Sequence, residues 1–284
     1  MVRKLALFLF AVTAAWGQSK APQLQAVFFA LEMQEEEHGG YIIAPFLVSG
    51  GATYKAPPLP SEDPKEQKRA EAFQARVFRS GTVYKLFSGG KAAGEVKVLK
   101  DISDELGTYA SVDVTAKGKK PKLQGIATNA AWLKESSREE RPLTAEEAAK
   151  MRALAAKYLK ARAVPARFVE KMEITGSTAG DLDGDGRVEL VATFRGDESR
   201  KDVQVNRSLL LLSQDGTDVV FASYLSTGET DVQTEVFFDH LDIDGDGVDE
   251  LIISKRYYED AGYDIYSRKL GKWKKVYSGP TSGP

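Results

Sequence analysis

Two acidic segments of nearly identical sequence constrain the fold of this chain more than any other feature. The first, DLDGDGRVEL, begins at Asp181, and the second, DIDGDGVDEL, begins at Asp242, 61 residues later. Each has aspartates at positions 1, 3 and 5, glycines at positions 4 and 6, and a glutamate at position 9. A strand-like run rich in β-branched residues follows each segment. The pattern therefore predicts two equivalent units in which an acidic loop joins two strands.

Four carboxylates within nine residues repel one another unless a cation neutralises them, at a cost of about 1 kcal/mol per pair at ~4 Å in water and more near a protein surface. An all-oxygen ligand set of this kind suits calcium. The candidate ligands are the side chains at positions 1, 3, 5 and 9 and the backbone carbonyl at position 7. They are Asp181, Asp183, Asp185, Arg187 and Glu189 in the first segment, and Asp242, Asp244, Asp246, Val248 and Glu250 in the second. We expect two calcium sites.

These segments do not match the EF-hand pattern. That loop requires a bidentate glutamate at position 12 and a helix after it. Position 12 is Ala192 in the first segment and Ile253 in the second, and both lie in strand-like runs. The loops therefore belong to a β-structure.

The pattern Asp-x-Asp-Gly-Asp-Gly-x-x-(Asp/Glu)-Leu, followed by an apolar strand, resembles the FG-GAP/VCBS repeat of integrin α-subunit propellers and many bacterial exported proteins. The resemblance covers roughly residues 168–277 and implies blade-like β-sheet units that hold calcium in the loop between consecutive strands. It assigns the same ten ligands. Glutamate stands at position 9, where the family more often has aspartate, and two copies are fewer than a closed propeller needs.

Composition narrows the class of protein. The chain has 284 residues, a formal net charge of −2 and scattered Lys and Arg, which argues against a nucleic-acid partner.

Residues 1–17 are typical of a signal peptide, with Arg3 and Lys4 before an apolar stretch and Ala15-Trp16-Gly17 at the expected cleavage site. We expect a secreted or periplasmic protein with no transmembrane segment in the mature chain. Since there is no cysteine, bound calcium takes the stabilising role that disulfides often have outside the cell.

Hydrophobic periodicity predicts a mainly β fold with two helices (α+β). The predicted organisation is a signal peptide (1–17), a smaller, strand-rich N-terminal α+β region (18–130), a helical connection (131–165), a two-repeat calcium-loop β domain resembling two propeller blades (166–279) and a tail (280–284). Asp63 and the Thr144–Glu147 capping box mark the two helix starts. Predicted strands include a meander over 82–115 and a first repeat strand over 168–175. Whether the repeats form part of a propeller or a sandwich is open.

The sequence favours a non-catalytic binding or adhesion-like module of the bacterial envelope. Its C-terminal aromatic residues are candidates for contact with a glycan or a protein, although packing between strands is the simpler interpretation. The alternative function is a hydrolase acting on envelope or extracellular polysaccharide, with its site in the N-terminal half. A third is an envelope scaffold. We predict no catalytic residue, since His38 and His240 lie in no recognisable catalytic or zinc motif.

Overall fold

The architecture is mainly β, with fifteen strands and three helices in the part of the chain that the structure describes. That part comprises residues 25–34, 40–50, 53–104, 107–117, 124–135, 140–200, 203–227, 234–257 and 260–281 of a computed structural model. The predicted signal peptide (1–17) and the acidic turn that contains His38 lie outside these ranges. No helix among the described residues is long and apolar enough to cross a membrane.

Seven strands form the N-terminal sheet, and six of them close into an antiparallel barrel. The strands are β1 (Ala26–Gln34), β2 (Gly40–Ser49), β3 (Tyr54–Lys55), β4 (Val83–Ser88), β5 (Lys91–Asp101), β6 (Ala110–Ala116) and β7 (Gln124–Thr128). Their order is β1-β7-β4-β5-β6-β2-β3, and β1 also pairs with β2, which closes the ring. The meander predicted over 82–115 is confirmed as β4-β5-β6, whereas β7, which was not predicted, inserts between β1 and β4.

The barrel interior is apolar. Residues from all six barrel strands and from helix α1 (Pro64–Val77) form one buried cluster, which includes Phe29, Leu86, Val96 and Phe73. Asp63 caps this helix as predicted, and its carboxylate accepts hydrogen bonds from the next backbone N–H groups. The N-terminal region is thus a barrel with one helix packed against its interior residues.

Two four-stranded antiparallel meanders follow. The first sheet contains β8 (Glu173–Gly180), β9 (Glu189–Arg200), β10 (Val203–Gln214) and β11 (Asp218–Thr227), and the second contains β12 (Thr234–Leu241), β13 (Glu250–Arg256), β14 (Ala261–Lys269) and β15 (Lys272–Ser278). In each sheet the acidic loop joins the first strand to the second. The structure therefore places the two sequence motifs at equivalent positions.

The elements stack in four layers. Helices α2 (Ala145–Lys160) and α3 (Ala166–Val169) cover one face of the first sheet, the second sheet covers its other face, and the barrel covers the far side of the second sheet. Alternate side chains serve the two faces: Leu209 and Leu211 meet the helices, whereas Leu210 and Leu212 meet the second sheet. Burial on both faces explains the continuous apolar runs of these strands.

One predicted element is wrong. The first repeat strand was expected over 168–175, but Phe168 lies in the short helix α3, and the strand begins at Glu173. Pro165 stands at the N-terminus of this helix, and Phe168 packs into the cluster beneath α2. A short apolar run fits a buried strand and a buried helical turn equally well, so periodicity alone did not separate them. The fold consequently has three helices rather than two.

Candidate metal centres

The first loop (residues 181–189) and the second loop (residues 242–250) have the same local conformation. Glycines at positions 4 and 6 have positive φ in both loops, between 77° and 92°. This left-handed backbone is readily accessible only to glycine, and it turns the chain around the aspartate side chains. Each loop begins at the end of a strand and ends at the glutamate that opens the next strand.

Hydrogen bonds between aspartates and backbone repeat from one loop to the other. In the first loop, Gly186 N donates to Asp181 Oδ2 over 3.1 Å, and Arg187 N donates to Asp185 Oδ1 over 2.9 Å. In the second loop, the same positions give 3.0 and 2.9 Å, to Asp242 and Asp246. One oxygen of each aspartate is thus held by its own loop, which fixes the carboxylates in space.

The glutamate at position 9 of each loop accepts a hydrogen bond from the backbone N–H at position 2. Glu189 Oε2 accepts from Leu182 N over 2.8 Å, and Glu250 Oε2 accepts from Ile243 N over 2.9 Å. Glu189 is 2% exposed and Glu250 is fully buried. A buried carboxylate that accepts one backbone N–H keeps further acceptor capacity, which needs a donor or a cation.

Burial makes these glutamates difficult to ionise. It raises the pKa of Glu189 to about 7, with neighbouring aspartates adding to the rise. It raises the pKa of Glu250 to about 8, and the negative charge of Asp244 adds to that rise. Burial also raises the pKa of Asp242. A cation between the carboxylates would reverse this penalty, since an opposite charge favours the ionised form.

The second loop contains two buried carboxylate oxygens without a hydrogen-bond partner among the described residues. They are Oδ1 of Asp242 and Oε1 of Glu250. Such atoms are uncommon in native proteins and call for an explanation, of which a bound ion is one. Ligand atoms of Asp242, Asp244 and Asp246 also lie within 4.8 Å of one another. The donor set therefore fits an oxygen-coordinated metal ion.

The first loop brings together a slightly different set. Ligand atoms of Asp181, Asp183 and Glu189 lie within 4.8 Å of one another. Asp185 instead accepts from the side chain of Gln214 over 3.2 Å. The Arg187 guanidinium donates to Asp215 over 3.0 Å. The ligand predicted from the sequence is the backbone carbonyl of Arg187, not its side chain. Both predicted sites are thus acidic clusters that can hold a metal ion.

Several residues beside the second loop were not predicted. Lys269 Nζ lies 2.8 Å from Asp244 Oδ2 and 2.9 Å from Asp246 Oδ2. The Tyr54 hydroxyl donates to Asp244 over 3.3 Å, and Trp132 Nε1 donates to Ile243 O over 2.9 Å. At the first loop, Arg268 pairs with Asp183. These contacts come from distant parts of the chain, so no local sequence signal indicates them.

His240 is buried beside two carboxylates. It is 3% exposed, and its Nδ1 lies 2.9 Å from Asp249 Oδ2. Its Nε2 lies 3.7 Å from Glu140 Oε2. Burial alone lowers the pKa of His240, but the hydrogen bond to Asp249 and the nearby negative charges of Glu140 and Asp239 outweigh it and raise the pKa to about 10. The charged imidazolium therefore joins β12 to the segment before α2.

Among the described residues, the C-terminal aromatic side chains are buried or half-buried rather than exposed. Tyr263, Tyr266 and Trp273 are buried, and Tyr277 donates a hydrogen bond to Phe46 O over 2.9 Å. Tyr258 lies outside the described residues. Packing between strands and against the barrel accounts for the buried aromatics.

The N-terminal half contains a surface groove between α1 and the β5–β6 connection. Its lining includes two acidic residues, Glu62 and Asp104. Asp104 Oδ1 accepts from Gly107 N over 3.0 Å and so closes a local turn. The groove does not distinguish a hydrolase from a non-catalytic protein.

The chain matches no protein-family model, no curated protein and no solved structure. The likeness to FG-GAP/VCBS repeats therefore rests on the residues of the two loops.

Proposed function

We propose that this chain is an exported calcium-binding protein in which two calcium ions hold the loops of two blade-like β-repeats. The observation that carries the proposal is in the second loop. Glu250 is fully buried, and its Oε1 has no hydrogen-bond partner among the described residues. In the same loop, ligand atoms of three aspartates lie within 4.8 Å of one another. A calcium ion would satisfy Glu250 Oε1 and neutralise the surrounding charge.

The arrangement of the sheets supports the resemblance to FG-GAP/VCBS repeats. Each loop joins the first and second strands of a four-stranded antiparallel meander, and the two meanders pack face to face. By this resemblance the ligands in the first loop would be Asp181, Asp183, Asp185, Glu189 and the carbonyl of Arg187. The ligands in the second loop would be Asp242, Asp244, Asp246, Glu250 and the carbonyl of Val248.

The role proposed for calcium is structural, and the role proposed for the protein is a non-catalytic binding or adhesion-like module of the bacterial envelope. Asp181 and Asp242 accept hydrogen bonds from the backbone of their own loops, which is consistent with a site that orders the loop. Because helices, sheets and barrel cover the broad faces, the loops and outer strands are the surfaces left to contact a glycan or a protein.

Calcium content and thermal unfolding test the proposal. With a dissociation constant on the order of 10⁻⁴ M, 10 mM calcium stabilises each site by about 2.7 kcal/mol. Two sites together contribute about 5.4 kcal/mol, which corresponds to a rise in Tm of roughly 10–20 °C relative to excess chelator. Elemental analysis should find two calcium ions per chain.

Two variants complete the test. Replacing Asp183 and Asp244 together by Asn should abolish the calcium-dependent rise. The matched control is Asp218→Asn, which removes one exposed carboxylate from the edge strand β11, and it should leave the rise intact. An unchanged Tm in the wild-type chain together with no bound calcium would refute the proposal.

Partner binding is tested separately. A glycan array and an envelope-extract pulldown, each with calcium and with chelator, should show retention that depends on calcium. The alternative hydrolase stays a prediction. Turnover of a polysaccharide panel that persists in excess chelator would favour it over a binding module.

A further inference from the structure

The two loops touch each other through the backbone. Asp249 N, at position 8 of the second loop, donates a 2.8 Å hydrogen bond to Leu182 O, at position 2 of the first loop. Leu182 lies between the proposed ligands Asp181 and Asp183, and Asp249 directly precedes the proposed ligand Glu250. One hydrogen bond therefore joins the peptide frames of both candidate sites.

Each end of this hydrogen bond is tied to a position-9 glutamate. The Leu182 N–H donates to Oε2 of Glu189, a proposed ligand of the same loop. The Leu182 carbonyl accepts from Asp249 N of the other loop. On the other side, Asp249 is covalently linked to Glu250. The Leu182 side chain is 1% exposed and packs in the cluster between the two sheets. A shift of this peptide would therefore disturb both loops and the interface between the sheets.

A second link runs through β14. Its last two residues, Arg268 and Lys269, project toward different loops, because successive side chains of a strand point to opposite faces. Arg268 pairs with Asp183 of the first loop, and Lys269 pairs with Asp244 of the second. The Asp183 and Asp244 side chains are 3% and 4% exposed, whereas the Arg268 and Lys269 side chains are 28% and 33% exposed, so only the carboxylate end of each ion pair is shielded from water. The end of one strand thus contacts a proposed ligand in each loop.

We propose that the two loops bind calcium cooperatively, so that an ion in one loop raises the affinity of the other. This inference rests on the proposed function. An ion in either loop orders the Leu182 peptide and the end of β14. The second ion then binds a backbone that is already ordered, so its binding loses less conformational entropy. Repulsion between the ions opposes this effect. However, the two loops contain eight proposed ligand carboxylates and receive only two side-chain cations from β14, so the second site stays strongly negative after the first ion binds.

Calorimetric calcium titration of the full chain tests the coupling. The first loop is disabled by D181N/D183N and the second by D242N/D244N. Asparagine removes the charge and keeps one side-chain oxygen that can accept a backbone N–H group of the loop. D181N loses one of the two backbone hydrogen bonds that Asp181 accepts, from Gly184 N and Gly186 N. Each variant should bind one calcium ion. A typical coupling of 5–150-fold predicts that the remaining site is at least about fivefold weaker than the same site in the doubly loaded wild-type chain.

A local fluorescence signal provides a second readout. Trp132 donates to Ile243 O inside the second loop, so the calcium-dependent fluorescence change that is lost in W132F reports on that loop. In D181N/D183N the midpoint of this change should move to higher calcium. The exposed control D218N should leave it unchanged. Circular dichroism in excess calcium checks that every variant is folded.

The outcomes separate the two proposals. Two ions in the wild-type chain with weakened single-loop variants support coupling. Two ions with equal affinities in wild type and variants, and an unmoved Trp132 midpoint, would overturn coupling and leave the calcium assignment intact. A wild-type chain that binds no calcium would overturn both.

Discussion

Replacement of Glu250 by Gln should raise stability without calcium, and calcium should remove that advantage. Glu250 is fully buried, and its Oε2 accepts a hydrogen bond from Ile243 N. Glutamine retains a carbonyl oxygen for that bond and removes the charge. Without calcium the charge is a liability, whereas with calcium it is a ligand.

The magnitude follows from the pKa. Burial raises the pKa of Glu250 from 4.5 to about 8, which corresponds to about 5 kcal/mol at 1.36 kcal/mol per pKa unit. Relaxation of the loop around the ionised group reduces the effect, and we expect about 2–3 kcal/mol. Since the native state holds the proton more tightly than the unfolded state, stability falls as pH rises from about 4.5 to about 8.

The assay is thermal unfolding of E250Q and the wild-type chain at pH 5 and pH 9, each in excess chelator and in 10 mM calcium. In chelator at pH 9, E250Q should melt higher by roughly 5 °C, and at pH 5 the difference should nearly vanish. In calcium at pH 9 this difference should nearly disappear, because E250Q loses most of the ~2.7 kcal/mol of binding stabilisation, which is close to the gain of about 2–3 kcal/mol in chelator. The control D218N should show neither effect.

The result that would refute the reasoning is an E250Q variant that melts below the wild-type chain in chelator at pH 9. In that case the buried carboxylate would be stabilised by the protein alone, and the loop would have no need of a cation.

Three further predictions concern the twin glutamate and the scaffold. E189Q should also gain stability in chelator at pH 9, but less than E250Q, because the pKa of Glu189 rises only to about 7; equal gains would contradict this. Thr144→Ala removes the capping box of α2 and should cost about 1 kcal/mol in urea unfolding, whereas Thr144→Ser should be nearly neutral. Gly176→Ala places a Cβ 2.7 Å from Phe237 O, and strain of about 1–3 kcal/mol is expected where the two sheets meet; an unchanged midpoint would show that the sheets can separate slightly.

Local chemistry in the sequence predicted much of the secondary structure and the loops. Asp63 and Thr144 begin helices as expected because a cap acts within three residues of itself. The acidic loops were predicted for the same reason, since glycine and aspartate spacing determines their backbone. The prediction of a strand over 168–175 was wrong because an apolar run does not reveal which neighbouring element will bury it.

Closure of the barrel lay beyond sequence periodicity. Strand β1 pairs with β2, its neighbour in the chain, and with β7, about a hundred residues away. Alternating side chains show that a residue faces an interior, but they do not show which strand lies beside it. The contacts of Tyr54, Trp132 and Lys269 with the second loop are likewise long-range.

The sequence by itself determined the two acidic loops, their strand context and their candidate ligands, because these depend on residues within ten positions of one another. Only the tertiary structure decided that the loops meet at Leu182 and Asp249, and that β14 contacts both. It also decided that Glu250 is fully buried. The physical reason is that burial, charge compensation and contact between repeats are set by how the sheets pack, and packing sums interactions from the whole chain.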